Sequence, residues 1–160
     1  MTSTCAAATY QPGSTEDELI EIDQILYCSL VKESMSPAQI DALIASSVSL
    51  NRLDGITGLL MYDGRSFLQL IEGPPESVSN LWRRLLNDRR HFAIVKLYHA
   101  HELETRTCFG WEMRRVDRRE LKAIIHSAKR VSDSGGQTAW APAIELMDRF
   151  LTLCDGEEQK

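Results

Sequence analysis

No run in this chain approaches the roughly 18 apolar residues of a membrane-spanning helix. No basic N-terminal region followed by an apolar stretch marks a leader either. The sequence therefore reads as a cytoplasmic protein without a membrane partner. Cysteine is sparse: Cys5, Cys28, Cys108 and Cys154 are far apart, with no CxxC pair and no histidine at ligand spacing from any of them. That pattern argues against a disulfide framework and a zinc site, and no metal is expected. Cys28 and Cys108 sit in strand-like runs and read as small buried hydrophobes. Acidic residues outnumber basic ones, 23 to 18. A net charge of −5 gives no reason to expect nucleic acid. Residues 112 to 130 hold seven Arg or Lys against three acids, and read as a solvated helix face. No glycine-rich loop follows the first strand, where Leu30 to Met35 offers only Lys32. An anion-binding loop of the kind a small acyl phosphatase needs is thus missing. No residue stands out as an activated nucleophile or base, so an enzyme is not expected.

What remains is an ordinary globular composition, 43% hydrophobic and 26% charged over 160 residues. A chain of that length buries roughly two thirds of its unfolded surface in one core. Residues 1–18, rich in Thr, Ser and Ala with Pro12-Gly13, read as a flexible lead-in. Ile25 to Ser29 reads as a buried strand. Ser36-Pro37-Ala38-Gln39 has a capping-box pattern, and Ile40, Leu43, Ile44 and Val48 carry a helix to about Leu50. A strand over 55–62, an Asp63-Gly64 hairpin and a strand through Glu72 follow. Val78, Leu81, Trp82, Leu85 and Leu86 mark a second helix. Strands over 93–101 and about 107–114 complete the order βαββαβ with one further strand. This is an α+β, ferredoxin-like sandwich with two helices on one sheet face. Asp117-Arg118-Arg119-Glu120 resembles another cap, Leu121, Ile124, Ile125 and Ala128 form a stripe, and 132–138 breaks that helix. Residues 143 to 154 form a second tail helix with Ile144, Met147, Leu151 and Cys154 on one face. The bare sheet face and a second copy of the chain are both candidates to cover these stripes. The divisions expected are a lead-in over 1–18, a core over 19–115 and a helical extension over 116–156.

The strand Ser66 to Gly73 carries a glutamine where a hydrophobe belongs. Phe67, Gln69 and Ile71 share one face, and Leu68 and Leu70 the other. A buried amide left without partners costs about 1–3 kcal/mol, so a side chain, a water or a ligand has to face Gln69. An amide that rotates exchanges donor for acceptor, which suits a two-state switch; a glutamine bonded to sheet-edge backbone is the plainer alternative. Tyr27 and Ser29 share a face of the first strand. Trp111 and Met113 share a face of the fifth, and Ser47 and Asn51 lie four apart on the first helix.

In combination these residues resemble the BLUF domain, a flavin-binding blue-light sensor. The resemblance rests on Ile25-Leu26-Tyr27-Cys28-Ser29, Asn51 with Asp54 to Leu60, Phe67 to Gly73, Asp88-Arg89-Arg90-His91 and Phe109 to Met113. It implies a flavin held non-covalently: FAD, with FMN or riboflavin as the other flavins such a site takes. It implies that Tyr27 is the electron and proton donor and that Gln69 bridges it to the flavin. Asn51 would hold the pyrimidine edge, with Asp88 and Arg90 at the ribityl and phosphate side. Trp111 and Met113 would lie beside the glutamine, and Ser29, Ser47 and His91 would give supporting polar contacts. Leu50 stands where the family commonly has asparagine, and Glu112-Met113-Arg114 replaces a small polar residue, Met and Gly. The function implied is a blue-light photoreceptor that signals through strand five and the tail to a partner protein. A homodimer or higher homo-oligomer is expected. The alternative is a ferredoxin-like ligand-binding or interaction module without photochemistry.

Overall fold

The computed structural model describes residues 21–108, 110–133 and 141–157. Strand β1 (Ile22–Val31) leads through α1 (Pro37–Asp54) to β2 (Thr57–Tyr62), whose hairpin partner is β3 (Ser66–Gly73). Helix α2 (Pro75–Leu86) then returns the chain to β4 (His91–Leu103). A short β5 (Arg114–Val116) precedes α3 (Arg118–Asp133) and α4 (Ala141–Glu157). The sheet order is β4-β1-β3-β2-β5. β1 is antiparallel to both β3 and β4, and β5 runs parallel to β2. Two interleaved βαβ units account for this order, since each crossover leaves a gap of one strand that the other unit fills. The ferredoxin-like sandwich and its helical extension are therefore the architecture of this chain.

Local chemistry sets most boundaries. Ser36 Oγ accepts from the Gln39 amide while Gln39 Oε1 accepts from the Ser36 amide, with Pro37 opening the first turn of α1. The helix continues past Leu50, the end expected from the stripe, because Gly55 supplies the left-handed cap (φ 66°) and donates its amide to the Asn51 carbonyl. Asn51 therefore lies within the helix, on its inner side. Asp63 closes the β2–β3 hairpin by accepting from the amides of Arg65 and Ser66. Asp117 and Glu120 cap α3 reciprocally, each carboxylate accepting the other's amide.

Strand five departs most from expectation. It was expected over about 107–114 but occupies only Arg114–Val116. Ahead of it the chain is irregular, pinned to the sheet by a buried carboxylate. Glu72, fully buried, accepts from the amides of Thr107 and Cys108, from Gln24 Nε2 and from Thr57 Oγ1. Arg106 adds bonds to Thr57 Oγ1, the Glu72 carbonyl and the Gly55 carbonyl. Gly58 completes the seat: its amide donates to the Trp111 carbonyl at 2.7 Å, and a Cβ there would stand 2.2 Å from the Leu70 carbonyl oxygen.

Each sheet face has its own core. Ile25, Tyr27, Leu60, Phe67 and Ile71 face α1 and α2, which contribute Ile40 and Val78. Leu26, Leu59, Met61, Leu68 and Leu70 face Leu121 and Ile125 of α3 and Ala143, Ile144, Met147 and Leu151 of α4. The tail stripes thus cover the face opposite the first two helices. The lead-in over 1–18 and the break around Gly135-Gly136 lie outside the described residues. Buried aliphatic side chains of this kind contribute about 1.5–3 kcal/mol each. Truncation after Val116 should therefore expose the second core, raise binding of a hydrophobic dye and promote aggregation. A truncated chain that stayed soluble, with unchanged dye binding, would show that the tail contributes little to this core.

Candidate functional site

The β1–β3 register places Tyr27 directly opposite Gln69. Both side chains therefore leave the sheet together, toward α1 and α2. Tyr27 is 1% exposed and Gln69 7%. The phenol of Tyr27 donates to Gln69 Oε1, and Gln69 Nε2 donates to Met113 Sδ at 3.6 Å. The amide is thus bonded firmly at its oxygen and weakly at its nitrogen, because a thioether is a poor acceptor. Burial, with a smaller contribution from the Asp88 carboxylate and against the opposing charge of Arg90, pushes the Tyr27 phenol well above its ordinary pKa. Tyr27 is therefore neutral and holds its proton.

Beside this pair lies a cavity of about 210 Å³, between the sheet and the two helices. Leu43, Leu60, Phe67, Leu81 and Leu85 give it apolar walls. Asn51, Gln69 and Ser47 bring polar groups into it, and Asp88, Arg90 and Arg84 bring charge. Asn51, 2% exposed, donates Nδ2 to the Glu112 carbonyl at 2.5 Å, tying α1 to the segment that carries Met113. Arg90 grips Asp88 through Nε and Nη2, and its guanidinium holds the Asp88 carboxyl below its usual range. Leu50, half exposed, lines the cavity without a polar contact.

Two expected site residues occupy other positions. Ser29 does not line the cavity; its hydroxyl meets His91 Nδ1 at 2.8 Å, and His91 Nε2 meets the Leu85 carbonyl at 2.9 Å. Ser29 thereby orients a histidine that does line it. Trp111 is not beside Gln69. It packs against the core under α3 and α4, with the Arg114 guanidinium 4.6 Å from its ring. Trp111 and Met113 fail to share a face because residues 111–113 are not in a strand, so alternation by two does not apply there. Trp82 was expected only as part of a helix stripe. Its ring stands edge-on to Tyr27 at 5.3 Å between centroids. An aromatic at that helix position facing a strand tyrosine is the signal that could have found it.

The cavity suits a flavin. Apolar walls match a flat tricyclic ring, amides match its one polar edge, and an arginine at the side matches a phosphate-bearing tail. At about 210 Å³ it is smaller than typical small-molecule sites of roughly 300–1,000 Å³.

Comparison with known proteins points the same way. The family described as "Sensors of blue-light using FAD" matches residues 22–114. The blue light- and temperature-regulated antirepressor BluF of Escherichia coli is 32% identical over 73 residues, 46% of this chain and 18% of that protein. Photoactivated adenylate cyclase subunit beta of Euglena gracilis is 30% identical over 76 residues, 48% of this chain and 9% of that protein. The chain thus spans less than a fifth of these relatives. Among solved structures, the dark-state structure of BlrB, a BLUF protein, superposes with a TM-score of 0.62 at 29% identity, covering 84% of this chain and 98% of that one. Klebsiella pneumoniae BlrP1 with FMN and cyclic diGMP gives a TM-score of 0.66 at 26% identity, covering 82% and 34%.

Proposed function

Because this chain belongs to the BLUF family of flavin-based blue-light sensors, we propose that Tyr27 and Gln69 are its photochemical pair and that Met113 reads the state of the glutamine. BLUF domains are sensory rather than catalytic. The hydrogen bond from Tyr27 to Gln69 Oε1 is the single observation that carries the assignment. A flavin held here would supply the blue absorption and the electron acceptor for Tyr27. FAD is the form we assign; Asn51 would hold the polar edge of its ring, with Ser47 and His91 in support, and Asp88 and Arg90 would hold its tail. Ser29 acts by orienting His91.

A buried neutral phenol loses an electron readily only when its proton leaves with it, and Gln69 Oε1 is already in place to accept that proton; when the electron returns to Tyr27 the proton returns with it, so both side chains end neutral. The weak bond to Met113 lets the amide turn over, so that it presents nitrogen where oxygen was. Met113 then loses its donor, and it stands one residue before β5. We assign sensing to residues 19–115 and output to the helices of 116–156, through contact with a partner protein in the cytoplasm. Among the described residues no helix is long and apolar enough to cross a membrane. Leu30, Phe92 and Val95, exposed apolar side chains on β1 and the edge strand β4, support self-association as a homo-oligomer.

Gln69→Leu tests the switch. Flavin should stay bound, since the remaining contacts are untouched, while the dark spectrum moves and the light-induced red shift disappears. A variant that kept the usual shift under blue light would remove Gln69 from the mechanism.

A further inference from the structure

At the far end of β4, away from the flavin cavity, three metal-ligating side chains converge. His99 and His101 are two apart on an edge strand, so both imidazoles project on one side. The β1–β4 register shifts between Ile22 and Gln24: on β4, His101 and Glu102 stand against the single residue Asp23. Glu102 absorbs the extra residue in a left-handed conformation (φ 55°). This bulge turns His101 toward the carboxylate. His101 Nδ1 lies 2.9 Å and His99 Nε2 3.5 Å from Asp23 Oδ2, and the ligand atoms of all three residues lie within 4.8 Å of one another.

We propose that Asp23, His99 and His101 bind a divalent transition-metal ion of the zinc type. Zinc bonds of about 2.0–2.1 Å in a tetrahedron set ligand atoms roughly 3.3 Å apart, between the two separations found here. Two imidazoles and one carboxylate are a donor set for borderline metals. Asp23 is 7% exposed, whereas the histidines are open to solvent, so an ion enters from outside and its fourth position faces water. Lys96 Nζ stands 3.4 Å from His99 Nδ1. Metal on Nε2 makes Nδ1 a donor, so the ammonium has to turn away from it. Lys96 also lies 4.8 Å over the Trp82 ring, which meets Tyr27 edge-on, so the site connects to the photoactive tyrosine through these contacts.

The test is calorimetric titration of the flavin-loaded full chain with zinc chloride near neutral pH. One equivalent should bind, with affinity falling as pH drops and protons compete for the imidazoles. His101→Gln, at a side chain 60% exposed, should fold and keep the flavin spectrum. It should weaken binding by at least the roughly 10–100-fold that loss of a ligand's outer partner costs. His99→Gln/His101→Gln should abolish it, and His126→Gln, exposed on α3, should leave it unchanged. No uptake by the unmodified chain, or one equivalent still bound by the double variant, would overturn the site. Sensitivity to His126 alone would do the same.

Discussion

Tyr27→Phe should yield a protein that binds flavin, stays folded and gives no stable red-shifted state under blue light. The substitution keeps the ring against Trp82 and removes only the hydroxyl that donates to Gln69. Its direct cost is one buried hydrogen bond, about 0.5–1.5 kcal/mol. Part of that is recovered if the Gln69 amide finds another donor. The functional cost is total, because a benzyl ring has no proton to release and is far harder to oxidise than a phenol. Absorbance before and after illumination decides the matter. A phenylalanine variant with a normal shift and normal recovery would eliminate Tyr27 as the donor, and Trp82, edge-on to the same ring, would become the candidate.

Glu72→Ala should produce the largest loss of stability. The carboxylate collects four donors, among them the backbone amides of Thr107 and Cys108. Its removal orphans the amides of Thr107 and Cys108 in the interior and leaves Gln24 with only Thr107 as a partner for its amide nitrogen. Gln24 already has a buried Oε1 without a partner, so the cluster has no slack to absorb the change. Unpaired buried groups cost about 1–3 kcal/mol each, which puts the loss at roughly 3 kcal/mol or more. At about 2–4 °C per kcal/mol for a chain of this size, the melting temperature should fall by roughly 6–12 °C. Glu72→Gln is the informative companion, because its NH2 group meets N–H donors where an oxygen stood. It should also destabilise the protein despite equal size. Equal melting temperatures for the unmodified chain and Glu72→Ala would show that the 104–113 segment is held by other contacts. The light response should be altered as well, since that segment delivers Met113 to Gln69.

Helix caps and hairpins were legible because they are local. Ser36 to Gln39, Asp63-Gly64 and Asp117 to Glu120 each satisfy their own backbone within a few residues, and the structure contains the bonds their spacing implies. Alternation likewise assigned Phe67, Gln69 and Ile71 to one face and Leu68 and Leu70 to the other, matching the two cores. The wide tail stripes called for a partner, and the sheet supplied it.

The sequence by itself therefore determined the order of elements, the faces of the strands and the presence of an amide that needed a partner inside the protein. The family resemblance implied Tyr27 as that partner, and the tertiary structure makes the contact. Tyr27 and Gln69 are 42 residues apart, and their contact depends on a β1–β3 register that no local pattern encodes. The same holds for Met113 and Trp111. Their segment takes its shape from long-range bonds to Glu72, Gly55 and Gly58, which override the alternation of a strand and send the two side chains to opposite sides of the sheet. Asp23 and His101, 78 residues apart, meet through a bulge at the sheet edge, where one added residue redirects a side chain. Hydrogen-bond demand and periodicity are properties of short segments. Register and bulge position come from the packing of whole strands, and the chemistry of this protein is set where those strands meet.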